Sequence, residues 1–160
     1  MDGAEARAEA ARLIALRRWL ALATVDERGN PSVSYAPFAA VNGAFGLVTS
    51  RLASHAANLL ACRPASVLLV DEGIASGDAY ARARFSIAVT ARPHAPGSAE
   101  AQALWAALQA RQGSTVRILQ TLPDFDAISL EPGRGRLIAG FASAHDLDAA
   151  TIAELLRGSR

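Results

Sequence analysis

Two periodicities organise the chain. Leu13, Leu16 and Leu20 recur at spacings of three and four, with Arg12, Arg17 and Arg18 on other faces, which predicts a helix over residues 4–19. Residues 20–25 read as a strand, and Asp26-Glu27-Arg28-Gly29-Asn30 supplies turn chemistry. Past Pro31, Val33 and Tyr35 alternate with Ser32, Ser34 and Ala36, the period-two signature of a strand. Asn42-Gly43 predicts a type I′ hairpin, because both central positions need positive φ. Phe45 and Leu47 resume the alternation, so residues 20–50 read as a three-stranded antiparallel meander.

Leu52, Ala56, Leu59 and Leu60 then share one side of a short helix over 51–62 that Pro64 stops, with Cys62 at its end read as a small buried side chain. Residues 66–70 form a buried-type strand, 71–80 a polar loop, and Phe85, Ile87 and Val89 mark another strand. Ser98 caps a helix over 99–111 that ends at Gly113, and a second short helix covers 114–121. Ile128 and Leu130 begin a hairpin that turns at Pro132-Gly133 and returns over 137–141. Asp148 caps a last helix through Leu156, while Trp19 and Trp105 read as core. About six mostly antiparallel strands with flanking helices predict one domain over 1–160, mainly β with α (α+β), closed into a small barrel.

Composition narrows the chemistry. Ala fills 37 positions, so the 51% hydrophobic content overstates the core-forming side chains. All 16 basic residues are Arg, which excludes Schiff-base catalysis and a phosphate-gripping Walker Lys. One Cys excludes an internal disulfide and a four-Cys zinc site, and the three His residues form no HExxH pattern. A net charge of +1 offers no nucleic-acid footprint. Asp2, Glu5 and Glu9 precede any apolar run, unlike a secretory signal. Residues 29–50 lack charge but carry Asn, Pro, Ser and Gly in numbers that no membrane span tolerates. These features predict a soluble cytoplasmic protein with no membrane partner.

Candidate chemistry concentrates where a strand ends in Thr49-Ser50 and Ser54, His55 and Asn58 fall in the first turns of a helix. Free N–H groups, short hydroxyls and an imidazole donor or cation suit an anion there. The plainer reading makes Ser50 or Ser54 an N-cap and His55 a surface residue. Arg82 and Arg84 could grip phosphate or simply be solvated at a strand end. Asp124 and Asp126 could tune each other's pKa or serve a turn, and His145-Asp146 precede the last helix.

Taken in order, Leu22-Ala23-Thr24-Val25, Gly29-Asn30-Pro31, Ser34-Tyr35-Ala36-Pro37-Phe38 and Thr49-Ser50 resemble the FMN-binding split-barrel superfamily typified by pyridoxamine 5′-phosphate oxidase. His55-Ala56-Ala57-Asn58-Leu59-Leu60, Pro64, Ser66-Val67-Leu68-Leu69, Ala83-Arg84-Phe85, Asp124-Phe125 and Gly135-Arg136 are most similar to its heme-iron-utilisation branch. The resemblance implies a six-stranded antiparallel split β-barrel and a homodimer with FMN at each subunit interface. It places Thr49, Ser50, Ser54, His55, Asn58 and Arg84 near the phosphate, and Ser34 and Tyr35 beside the flavin ring. It implies a flavin-dependent oxidoreductase acting on a small-molecule substrate; the alternatives are a heme-binding or heme-degrading protein and a structural dimer with a vestigial flavin groove. His55 stands where oxidase relatives usually place Lys, Ala142 and His145 replace a usual Gly and aromatic, and no His follows His145. His55 and His145 are then the plausible iron ligands, with Asp124 as a partner to one.

Overall fold

The computed structural model describes residues 1–73, 78–140 and 143–159. Helix α1 (Gly3–Leu16) opens with a capping box: the Asp2 side chain accepts from the Ala4 and Glu5 amides while Glu5 reaches back to the Asp2 amide. It is shorter than the predicted helix, and Trp19 begins strand β1 (Trp19–Val25) instead. Strands β2 (Pro31–Pro37), β3 (Ala39–Val41) and β4 (Ala44–Ser50) follow, then helix α2 (Ser54–Leu60). Next come β5 (Ala65–Val70), β6 (Arg84–Pro93), α3 (Ala99–Gln112) and α4 (Thr115–Gln120). The chain finishes with β7 (Phe125–Gly140), β8 (Ser143–Leu147) and α5 (Ala149–Gly158).

Every strand pairing is antiparallel, and the hydrogen-bonded order is β2-β1-β5-β6-β7-β4-β3, with β8 added to β7. The described residues thus hold eight strands rather than six, in a sheet curled into a half-barrel with flanking helices: a split barrel of the α+β class. The predicted meander over 20–50 is two separate hairpins, β1–β2 and β3–β4, at opposite ends of the sheet. Asn42 and Gly43 do form the second turn, with φ of 51° and 82°. The hairpin predicted at Pro132-Gly133 is absent, because β7 runs straight through both residues. Its first half pairs with β4 and its second with β8, along opposite stretches of one strand. Pro132 lies opposite Val89, where the β6–β7 register shifts, so the residue that cannot donate sits at an irregularity.

The core forms because the predicted alternation on β6 holds: Phe85, Ile87, Val89 and Ala91 are buried while Ser86, Ala88 and Thr90 face water. They meet Leu13, Ile14, Leu20, Leu22 and Leu47, with Phe38 and Phe45 packed edge to face at 5.4 Å. Gly135 lets this core close, since a Cβ there would lie 2.6 Å from the Phe85 ring. Leu104, Leu108, Val116 and Ala127 form a smaller cluster under α3, with Trp105 partly buried against it. On β2 the apolar phase points outward: Val33 and Tyr35 are 77% and 67% exposed, and Trp19 joins Tyr35 edge to face rather than the core. Cys62 and Leu52 are also exposed, Cys62 with a φ of 51° just past the end of α2. Helix α1 is held to the exit of β5 by Arg12, which bridges Glu9 and Asp71 at 2.7 and 2.6 Å. The same guanidinium holds the Asp71 carboxyl below the usual carboxylate range.

Candidate functional site

The site lies where β4 ends and α2 begins. Ala53, not Ser50 or Ser54, is the N-cap of α2, and it makes no side-chain cap bond. Ser54 is exposed. His55 projects inward to meet two strands that are not neighbours in the sheet: its Nδ1 lies 3.0 Å from Ser34 Oγ on β2 and its Nε2 2.7 Å from Thr49 Oγ1 on β4. The imidazole thus bridges the seam where the curled sheet brings β2 and β4 together. Thr49 is buried, while Ser34 and His55 are half-buried.

Burial pushes the His55 pKa below its ordinary value of 6.5, and among the described residues no carboxylate offsets that effect. The imidazole is therefore the neutral, one-proton form near pH 7, not the cation that sequence allowed. Either hydroxyl can donate or accept, so the Ser34–His55–Thr49 chain can carry a proton across the seam. Because the unfolded chain protonates His more readily, this group's contribution to stability is complete above pH 6.5 and is lost as pH falls from there toward the folded pKa. Urea titrations of wild-type and His55→Gln protein between pH 5.5 and 8 should differ in slope below pH 6.5, wild type being the steeper. Parallel profiles would show that His55 titrates alike in both states.

The other expected ligands separate. Ser50 Oγ donates to Asp124 Oδ2 at 2.5 Å and accepts from the Leu52 amide at 3.2 Å. Asn58 is buried, and its side chain leads into the fold: Nδ2 donates to Thr24 Oγ1 at 3.0 Å, while Arg63 Nη1 reaches Oδ1 at 3.4 Å. Tyr35 faces outward, opposite to Ser34, as alternation on one strand requires. Arg84 pairs with Ile138 and Ser50 with Phe125, so they lie at opposite ends of β7; the Arg84 Nη1 donates to the Arg82 carbonyl at 3.1 Å. His145, on β8, bonds Ser143 Oγ through Nε2 at 3.1 Å and lies along the half of β7 distant from Ser50. Among the described residues no three His, Cys, Asp or Glu side chains gather to hold a metal.

Sequence reasoning missed the acidic partners. Asp124 and Asp126 take different partners at the same turn: Asp124 takes the Ser50 hydroxyl, and Asp126 takes Arg51 through two bonds of 2.8 and 2.7 Å. The cross-strand register carries this, since Ser50 lies opposite Phe125 and Thr49 opposite Asp126. Only the spacing of Asp124 and Asp126 was visible beforehand.

Residues 6–139 match the pyridoxamine 5′-phosphate oxidase family, and with the split barrel this establishes that the chain belongs to that family, on its heme-utilisation side. Heme oxygenase HutZ of Vibrio cholerae is 31% identical over 132 residues, covering 82% of this chain and 74% of that protein. The crystal structure of HutZ, described as a heme storage protein, superposes with a TM-score of 0.73 at 30% identity over 78% of this chain and 88% of that one. A heme-binding protein from Mycobacterium smegmatis gives a TM-score of 0.82 at 27% identity over 93% of this chain, which spans only 60% of that protein's length. Among the described residues no helix is long and apolar enough to cross a membrane.

Proposed function

We propose that this protein binds heme within a heme-utilisation system and is not a working FMN oxidoreductase. The observation that carries the reading is the internal bonding at the β4–α2 turn. A flavin phosphate there would find Ser50 committed to Asp124, Ser34 and Thr49 committed to His55, and Asn58 committed to Thr24. Arg84, the remaining cation of the expected set, lies at the far end of β7. FMN therefore fits these residues poorly, whereas the heme-named relatives share the fold at 27–31% identity.

An iron ligand would come from His145. His55 has hydroxyls on both nitrogens, while His145 uses only Nε2 among the described residues. Heme supplies the redox chemistry of whatever follows; the protein's own part is to bind it and exclude water. The exposed Trp19, Val33 and Tyr35 face on β1 and β2 is the surface we assign to a second copy of the chain, which sedimentation reads directly. Hemin titration should give a saturable Soret band that His145→Ala weakens and His55→Ala largely keeps. FMN fluorescence should stay unquenched by the wild-type protein. Saturable FMN quenching with no hemin spectrum would overturn the proposal.

A further inference from the structure

The β4–α2 turn carries the residue types that hold anions, yet two of its donors, the Ser50 hydroxyl and the Arg51 guanidinium, are filled by carboxylates from the same chain. Ser50 Oγ donates to Asp124 Oδ2 at 2.5 Å, and the Arg51 amide donates to the Asp124 carbonyl at 2.9 Å. The Arg51 guanidinium grips Asp126 through paired bonds of 2.8 and 2.7 Å, in the forked geometry that Arg otherwise offers to phosphate. Asp126 is the sheltered partner, its side chain 12% exposed against 57% for Arg51. Register fixes the arrangement, because β4 and the start of β7 are adjacent and antiparallel over residues 45–50 and 125–130.

We propose that Asp124 and Asp126 determine ligand class at this turn: as built-in anions they occupy Ser50 and Arg51 and turn away ligands that carry a phosphate. A phosphate dianion would have to displace two carboxylates from their donors and then remain beside both charges. An uncharged ligand such as riboflavin meets no such penalty, and the propionates of a bound heme would have to lie away from this turn. The same pair explains how a turn rich in hydroxyls and Arg can belong to a site that does not take phosphorylated cofactors. This inference adds to the heme reading and has a separate readout, since it concerns phosphate selectivity and uses no heme.

The test compares FMN with riboflavin, which has the same ring and no phosphate, by flavin fluorescence on the full chain. Wild type is compared with Asp124→Asn, Asp126→Asn, the double variant and Ser50→Ala, each checked for folding by circular dichroism. The double variant should bind FMN at least about tenfold more tightly than wild type, a change of ~1.4 kcal/mol, with riboflavin unchanged. Ser50→Ala breaks the Asp124 bond but keeps its charge, so it should gain nothing. Equal gains for FMN and riboflavin, a gain in Ser50→Ala matching that of Asp124→Asn, or tight FMN binding by wild type would each overturn the proposal. If Asp124→Asn fails to fold, Asp126→Asn decides alone: it should gain FMN affinity selectively, and no gain overturns the proposal. A wild-type protein that shows no Soret band leaves this outcome unaffected, so the two readings fail separately.

Discussion

Arg111→Ala is expected to lower the unfolding free energy by about 3 kcal/mol, because it removes several hydrogen bonds from a charged donor at once. Helix α1 ends at Leu16 and leaves its last carbonyls without partners inside the helix. Arg111, on α3, supplies them: its Nη2 donates to the carbonyls of Ile14, Ala15 and Arg17 at 2.9, 2.9 and 2.6 Å. Its guanidinium also lies 5.2 Å from the centre of the buried Phe38 ring. Gln112 completes the junction by donating to the Arg18 and Phe38 carbonyls. Among the described residues no carboxylate pairs with Arg111, and burial pushes its pKa down, so part of its worth is offset by desolvation. The melting temperature should fall by roughly 6–12 °C, at 2–4 °C per kcal/mol for a domain of this size. Arg111→Lys should recover about half or more, since all three bonds leave the single Nη2 and an ammonium also carries three donors, whereas the planar contact over the Phe38 ring is lost. A loss below about 1 kcal/mol in urea unfolding would show that the junction is held by apolar packing instead.

Asn58→Ala should cost about 2–3 kcal/mol, from a lost buried hydrogen bond and the small void left behind. Asn58 is 6% exposed and donates to Thr24, which is 2% exposed and itself bonds Ser32 Oγ at 3.0 Å. Truncation leaves the buried Thr24 hydroxyl with Ser32 Oγ alone and unfastens α2 from the β1–β2 hairpin. Urea unfolding measures the cost, and amide hydrogen exchange should rise across α2 more than in β6. The same variant separates two roles for Asn58. A strut loses stability on truncation, whereas a ligand-binding side chain would lose affinity and leave stability within about 0.5 kcal/mol.

Local chemistry made much of the fold legible. Asn42-Gly43 turns where it should, Ser98 and Asp148 cap α3 and α5, and the Phe85, Ile87, Val89 phase is buried. These depend on a few neighbouring residues, whose side chains bond their own backbone or alternate along one strand. The larger departures are of a second kind. Val33 and Tyr35 show perfect alternation, but period two says which residues share a face and not which face meets the core. Pro132-Gly133 has turn chemistry and still lies within a strand, because pairing with β4, β6 and β8 outweighs a local preference.

The candidate site divides in the same way. By itself the sequence determined the residue types at the end of β4 and the start of α2, the Lys-free composition, and the family pattern. Only the tertiary structure decided how they are used. His55 meets Ser34 and Thr49 because curling of the sheet brings β2 to β4, a closure no local segment encodes. Ser50 meets Asp124 because β4 and β7 pair in one register across 74 residues of chain, and Asn58 turns inward because α2 must be fastened to β1. A side chain's chemistry is written in its own residue, but which donor it satisfies is set by the non-local burial that chooses its neighbours.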